Sequence, residues 1–241
     1  MGLAAGLFDC RCFGDSEGEP RNWISPRRHL QDWEAALAYV RVLESIDASR
    51  MALWGTSFSG GHVIVIAARH KEISAVVAQV PFADGLALLT STPLKHILRL
   101  SMAALGDLSR SIIGHSPLTV PIVGPPDSCA IMNMPGSWEG YCSLLPEDTS
   151  WTNACPARAV FTTSFYRPTL HAQRVECPTL FVMAEHDEVI PLWSVKREVA
   201  RVPNAEVLVL SGSHFDVYKG SFFEEAIAAE QDFFVTHLQN Q

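Results

Sequence analysis

A serine, an aspartate and a histidine stand in this order along the chain, at positions suited to acyl transfer: Ser57, Asp187 and His214. A serine hydroxyl is a weak nucleophile at neutral pH and needs a base within hydrogen-bond reach. An imidazole supplies that base, and a carboxylate on its other nitrogen fixes the tautomer and stabilises the imidazolium. Each of the three residues follows a short apolar segment typical of a buried strand. Because the carboxyl ends of parallel strands share one edge of a sheet, we predict that the three side chains meet there.

The segment around Ser57 has the pattern of a nucleophile elbow, a strained turn between a strand and a helix. Residues 50–54 predict the strand, and residues 62–69 predict the helix that follows. Such a turn needs small residues two positions before and two positions after the nucleophile, here Gly55 and Ser59. The usual pattern has glycine at the second of these positions, so a frame with Ser59 as the nucleophile stays open. We favour Ser57 because it stands closer to the strand; the alternative without chemistry is a Gly/Ser-rich connection.

The acid and the base have neighbours that offer the same chemistry. Asp187 has two rival carboxylates, Glu185, which stands nearest the predicted strand, and Glu188. We favour Asp187 because an apolar pair and a proline follow it, where the next helix begins. His214 is preferred over His186 because it follows the last predicted strand. The ordinary alternatives are a turn-capping aspartate and a solvated loop histidine.

Composition predicts a globular chain of one large domain, or of one domain with an insertion. It has 241 residues, 48% of them apolar, and a net charge of −8, which disfavours nucleic acid and anionic membranes as partners. No apolar run reaches the length of a membrane span. There is no metal-ligand spacing and no phosphate loop or nicotinamide fingerprint, so we expect no cofactor. The cysteines form no dense framework, and we expect them reduced in a cytoplasmic protein. They are Cys10, Cys12, Cys129, Cys142, Cys155 and Cys177.

Apolar segments alternate with helical patterns, which predicts a parallel sheet with crossover helices, an α/β fold. The predicted strands are residues 6–10, 50–54, 74–80, 177–184 and 205–210. The predicted helices are residues 26–46, 62–69, 94–105, 192–202 and 221–237. The alternation is interrupted at residues 82–168, where prolines cluster. We interpret that stretch as a mostly helical insertion over a core formed by residues 1–81 and 169–241.

Four motifs together resemble the α/β-hydrolase family, in particular its serine hydrolases of the esterase, lipase or serine aminopeptidase type. The motifs are Phe8-Asp9-x-Arg11 with Gly14-x-Ser16-x-Gly18, the elbow at residues 55–61, residues 185–191, and residues 212–215. The resemblance implies an α/β-hydrolase fold in which residues 82–168 form a helical lid. It also implies Ser57 as nucleophile, Asp187 as acid and His214 as base, with the backbone N–H of Phe58 as one oxyanion donor.

The chain departs from the family pattern at its start. Members of the family have further strands before the position of Phe8, and a loop among them carries the second oxyanion N–H; we estimate that about 40–70 residues are missing. Cys12 also stands where the family loop usually has glycine. We expect a serine hydrolase that cleaves an ester, thioester or small amide of a small-molecule acyl substrate through an acyl-enzyme. The alternative is an impaired binding protein of the same fold, or a truncated gene product that lacks the oxyanion strand.

Overall fold

The computed structural model describes residues 3–239 and contains a four-stranded parallel sheet in the order β1-β2-β5-β6. Its strands are β1 (Met51–Thr56), β2 (Ile73–Gln79), β5 (Thr179–Ala184) and β6 (Ala205–Leu210). A separate antiparallel pair is formed by β3 (Thr119–Val120) and β4 (Cys155–Pro156). The helices are α1 (Pro26–Val40), α2 (Phe58–Ala67), α3 (Gly85–Ser91), α4 (Leu94–Ile112), α5 (Ser137–Cys142), α6 (Ala159–Ser164), α7 (Leu192–Val199) and α8 (Gly220–Gln239).

The two central strands, β2 and β5, are apolar on both faces because helices cover the sheet on both sides. Side chains alternate between the two faces along each strand. Val76 and Phe181 point into the layer formed by α1, α2 and α7, whereas Val77 and Val182 point into the layer formed by α8. The result is a three-layer α/β/α arrangement, and the predicted fold class is confirmed.

Four of the five predicted strands are confirmed, with shifts of at most two residues at their ends, but the strand predicted at residues 6–10 is wrong. These residues, which the structure describes, have no strand conformation, and Leu7 is 94% exposed. A strand needs a neighbour to satisfy its backbone N–H and C=O groups. Residues 6–10 do not pair with β1, which is an edge strand among the described residues.

The helices follow the predicted order, and the ends of two of them, α1 and α4, differ from the prediction by six residues or more. Helix α1 ends at Val40, six residues before the predicted end, and hydrogen-bonded turns follow it. Asp47 accepts hydrogen bonds from the N–H and hydroxyl of Ser49, a local turn that competes with helix. Helix α4 continues to Ile112, beyond the predicted end at residue 105.

Within residues 85–164, helix α5 lies beside the carboxyl end of the sheet. Helix α5 contacts the loop after β6: a side chain at Gly140 would collide with the ring of Phe215, and Lys219 donates to the hydroxyl of Ser143. Gly136 lies next to Glu188 in the loop after β5. The division into a core and an insertion at residues 82–168 stays a prediction, and its outer limits, residues 1 and 241, lie outside the described residues.

Candidate active site

Ser57 occupies the turn between β1 and α2 with a backbone conformation that L-residues rarely adopt. Its φ is +51° and its ψ is −118°. The neighbouring strand holds it there, because the N–H of Ser57 donates to the carbonyl of Gln79 at 2.8 Å. The carbonyl of Ser57 in turn accepts from the N–H of Phe82, also at 2.8 Å. A non-glycine residue in this region costs about 1–3 kcal/mol and persists only where the surroundings enforce it.

Two glycines make this turn possible because the backbones of strand and helix nearly touch. A Cβ at Gly55 would lie 2.4 Å from the carbonyl oxygen of Ser59. A Cβ at Gly61 would lie 2.4 Å from the carbonyl oxygen of Phe82. The small residues expected around Ser57 are therefore required by close packing of α2 against β1 and the loop after β2.

The loops after β5 and β6 bring Asp187 and His214 to Ser57. The Nε2 atom of His214 lies 3.1 Å from the Oγ atom of Ser57. The Nδ1 atom of His214 lies 2.8 Å from the Oδ2 atom of Asp187. The side chains of His214 and Asp187 are both nearly inaccessible to solvent. The structure thus joins the three residues, predicted from strand ends far apart in sequence, in one continuous hydrogen-bonded chain.

The Asp187 carboxylate is oriented by its own loop. Its Oδ1 atom accepts from the N–H groups of Val189 and Ile190, at 2.9 and 2.6 Å. These two bonds leave Oδ2 directed at the imidazole of His214. A carboxylate held by backbone donors keeps the ring in one orientation, with the proton on Nδ1 and Nε2 free to accept.

The rival residues have other contacts than the imidazole of His214. Glu185 is exposed and accepts from the hydroxyl of Ser211, and Glu188 accepts from the backbone N–H of His214 at 3.3 Å. His186 is exposed to solvent. Ser59 is the second residue of α2, and the imidazole of His214 contacts Ser57 instead. The geometry therefore favours the Ser57 frame of the elbow.

Phe58 is the first residue of α2. The first N–H groups of a helix have no partner within the helix, and the aligned peptide dipoles place partial positive charge there. An oxyanion that forms beside Ser57 therefore faces the amino end of α2. The oxyanion role of the Phe58 N–H stays a prediction.

Behind Ser57, three polar side chains that sequence reasoning missed join β1, β2 and the loop after β6. Thr56 shares a hydrogen bond of 2.6 Å with the hydroxyl of Tyr218 and accepts one from the amide of Gln79 at 3.1 Å. Burial raises the pKa of Tyr218 to about 12, so its hydroxyl keeps its proton at neutral pH. In the sequence, the one signal that could have found Tyr218 is its position four residues after His214. This signal is weak, because such a spacing is common.

A second buried chain of imidazoles and a hydroxyl lies on the other side of Phe58. The Nδ1 atom of His62 lies 2.8 Å from the hydroxyl of Tyr166, and its Nε2 atom lies 3.2 Å from Nδ1 of His29. Burial lowers the pKa of His62 well below its ordinary value and that of His29 to about 4. The ring of Phe58 packs against all three side chains. Sequence reasoning expected His62 to be a packing or surface residue, and it is buried.

Among residues 3–239, no group of three or more His, Cys, Asp or Glu side chains is arranged to hold a metal ion. Within the same range, no helix has the length and hydropathy needed to cross a bilayer.

Comparison with known proteins identifies the family to which this fold belongs. The model of the alpha/beta hydrolase family matches residues 2–228. The chain belongs to the alpha/beta hydrolase family. The prediction of a hydrolase-family enzyme with this fold is therefore confirmed.

Two relatives within this family show what the chain is similar to. The quorum-quenching protein AidA of Acinetobacter baumannii is 38% identical over 232 residues, which cover 96% of this chain and 76% of AidA. The polyketide transferase af380 of Aspergillus fumigatus is 24% identical over 248 residues, 99% of this chain and 81% of that protein. Shorter matches include the thiohydrolase aneE of Aspergillus aculeatus, 32% identical over 84 residues, 35% of this chain and 26% of aneE.

Solved structures of the family superimpose closely. DcsB, solved in complex with its substrate analogue, has a TM-score of 0.81 and 22% identity, covering 96% of this chain and 80% of DcsB. The monoacylglycerol lipase of Paleococcus ferrophilus has a TM-score of 0.69 and 21% identity, covering 95% of this chain and 82% of the lipase. At this level of identity, the similarity establishes the fold.

Proposed function

We propose that the protein is a serine hydrolase that cleaves an ester, thioester or small amide through an acyl-enzyme intermediate. Ser57 is the nucleophile, His214 the general base and Asp187 the acid that orients and stabilises the imidazole. The observation that carries the proposal is the chain from Ser57 Oγ through both ring nitrogens of His214 to Asp187, at 3.1 and 2.8 Å. The positive φ of Ser57 adds support, since backbone strain of this kind concentrates at functional sites.

The reaction follows from these positions. His214 Nε2 accepts the hydroxyl proton as Ser57 Oγ attacks the substrate carbonyl, and the Asp187 carboxylate stabilises the imidazolium. The backbone N–H of Phe58, at the amino end of α2, donates to the oxyanion of the tetrahedral intermediate. His214 returns the proton to the leaving group, which leaves Ser57 acylated. Water then attacks the acyl-enzyme by the same proton transfer and releases the acid.

The substrate class rests on the site and on the names of the relatives. An ester or thioester has a better leaving group than an amide, and relatives of this chain include thiohydrolases. We infer that residues 82–168 form the lid and determine which small-molecule acyl group enters, because α5 packs on the loops that carry Asp187 and His214. We also infer a reducing, cytoplasmic setting, since all six cysteines are unpaired.

A fluorophosphonate probe tests the proposal directly, because it phosphonylates an activated serine. We expect labelling of the wild-type protein at Ser57, located by peptide mass spectrometry. Ser57→Ala abolishes the label, and the matched control Ser59→Ala keeps it. Labelling that persists in Ser57→Ala and disappears in Ser59→Ala would reverse the assignment of the nucleophile. Folded wild-type protein that takes up no label would favour the impaired binding protein.

Acyl transfer is the second candidate function, because several relatives are named polyketide transferases. The first half of the reaction is the same, and an alcohol or amine replaces water in the second half. The two activities separate when a p-nitrophenyl ester is turned over with and without an added alcohol. A transferase forms a new ester at a rate that rises with the alcohol concentration, whereas a hydrolase releases free acid throughout.

A further inference from the structure

Helix α4 has an apolar surface on both of its sides. One side faces the protein and buries Leu100 and Ala104, together with the polar residues His96 and Asp107. The other side carries large apolar side chains that are 43–78% exposed. They are Leu94, Leu98, Met102, Leu105, Leu108 and Ile112, and we call them the α4 apolar face.

The spacing of these residues makes the α4 apolar face continuous. With about 100° of rotation per residue, they fall within a sector about 120° wide that runs the length of the helix. The other residues in this sector are Ser101 and Ser109, so it contains no charge. Single exposed apolar residues are common on protein surfaces, but a continuous strip along five turns of helix marks an interaction site.

The charges beside this face have one sign. Lys95, Arg99 and Arg110 lie along one flank of it, at about 100–160° on the same scale. The carboxylate of α4, Asp107, is buried and forms an ion pair with Arg158. Arg99 and Arg110 also donate to carbonyl groups of the loops next to them, which holds both cations at the edge of the face.

We propose that the α4 apolar face docks on an anionic lipid bilayer, with α4 lying parallel to the membrane surface. An amphipathic helix of this kind inserts its apolar side chains between the lipid headgroups, while flanking cations contact anionic headgroups. This interaction surface is independent of the proposed reaction at Ser57.

The net charge of −8 opposes this docking only at long range. Screening in physiological salt limits electrostatic interactions to roughly 8–10 Å, so the charges beside the contact dominate. On α4 itself the exposed charges are basic, and the exposed Asp127, whose carbonyl accepts from Arg99, is an acidic residue beside them. The expectation that the net charge disfavours anionic membranes does not account for this separation of charge on one helix.

A second copy of the chain would cover the same face less well. Pairing two α4 helices would bury the apolar strip, but α4 presents no exposed carboxylate to the cations of its partner. In an antiparallel pair, Lys95 of one copy would approach Arg110 of the other, and like charges at this distance repel. Anionic lipid neutralises all three cations in one orientation.

Vesicle flotation tests the proposal with the Ser57→Ala protein, in which lipid hydrolysis cannot disturb the readout. We expect binding to vesicles of equal parts phosphatidylcholine and phosphatidylglycerol, and weaker binding to phosphatidylcholine alone. Leu98→Gln with Met102→Gln lowers the partition coefficient at least about ten-fold. Lys95→Gln lowers it about five-fold, and only on the anionic vesicles.

The matched control replaces two apolar residues that are at least as exposed as the tested pair but lie outside α4. Tyr39→Gln with Val42→Gln, at positions 65% and 74% exposed, leaves vesicle binding unchanged. Thermal melts of all variants verify that they are folded. Equal loss of binding in the control pair, or no binding of the parent protein to anionic vesicles, overturns the proposal. So does a dimer that Leu98→Gln with Met102→Gln dissociates in sedimentation velocity, because the face then binds a second copy.

Discussion

His214 and His62 are buried to the same degree, 2% and 1% exposed, and each bonds through both ring nitrogens, one of them to a hydroxyl. The two hydrogen-bonded networks differ in their third residue. His214 contacts the carboxylate of Asp187, whereas His62 contacts a second imidazole, that of His29. The amino end of α2 lies between the two networks: Ser57 bonds to His214, and the ring of Phe58 packs against His62.

Under the proposed function, this difference determines which of the two histidines accepts a proton. A buried imidazolium needs an adjacent negative charge, because burial alone disfavours the charged form. At His62, burial and the neighbouring His29 both lower the pKa, so the ring stays neutral. Under the proposed function His214 can serve as the base because Asp187 is present, and burial is the same for both.

Of the substitutions that test this comparison, His214→Ala has the largest expected effect. We expect His214→Ala to lower kcat about 10⁶-fold toward an activated ester, because the serine loses its base. Stopped-flow or initial-rate measurement of p-nitrophenol release gives the value. Folding is verified by circular dichroism. A loss below ten-fold would show that another group takes the proton of Ser57.

Asp187→Asn tests the third member of the chain. The N–H groups of Val189 and Ile190 require an acceptor, so the asparagine oxygen faces them and its NH₂ group faces His214. The imidazole then accepts at Nδ1 and carries its proton on Nε2, where it cannot take the proton of Ser57. We expect kcat to fall about 10⁴-fold with little change in KM. Unchanged kcat would assign Asp187 a purely structural role.

For the hydrogen-bonded pair of His62 and His29, we predict an effect on stability instead of on the reaction rate. Burial lowers the pKa of His29 to about 4, whereas the unfolded chain titrates near 6.5. The unfolded state therefore binds more protons between these values, and the free energy of unfolding falls as the pH decreases from 6.5 to 4. We expect this group to account for about 2–3 kcal/mol of that loss. Urea titrations across this range should give a shallower pH dependence for His29→Asn; identical slopes would contradict the prediction.

The smallest effect is expected at the hydroxyl of Tyr166. Tyr166→Phe removes the partner of His62 Nδ1 without creating a large cavity. We expect a loss of about 1–2 kcal/mol in the free energy of unfolding, because a buried ring nitrogen is left unsatisfied. The same variant keeps kcat within about two-fold, since Tyr166 is separated from Ser57 by Phe58. A larger loss of kcat at unchanged stability would show that the hydrogen-bonded network of His62 affects the reaction at Ser57.

The central sheet, and the meeting of the three site residues at its edge, could be predicted from the sequence for one physical reason. Parallel strands buried on both faces are read from apolar composition, and their carboxyl ends converge whatever lies between them. Ser57, Asp187 and His214 are therefore brought together by rules of sheet topology. Their catalytic roles stay predictions.

Other features depend on contacts that composition does not encode. Residues 6–10 have an apolar pattern, but strand conformation needs a paired neighbour, which a local pattern cannot supply. The bond of Tyr218 to Thr56 and that of Tyr166 to His62 join positions 162 and 104 residues apart. The sequence pattern predicted a helix at residues 94–105, but it could not show that large apolar side chains of this helix lie on its exposed side.

Under the proposed function, the two backbone hydrogen bonds of Ser57, to strand β2 and to the loop after it, connect the reactivity of this serine to local unfolding. If β1 separates from β2, the donor and acceptor that hold the serine at positive φ are lost, and the residue relaxes to an ordinary conformation. The amide hydrogens of Ser57 and Phe82 then exchange with solvent in the same opening event. If Ser57 is the nucleophile, its strained conformation can form during refolding only after these two parallel strands have joined, so we expect recovery of probe labelling to follow the formation of the β1–β2 pair.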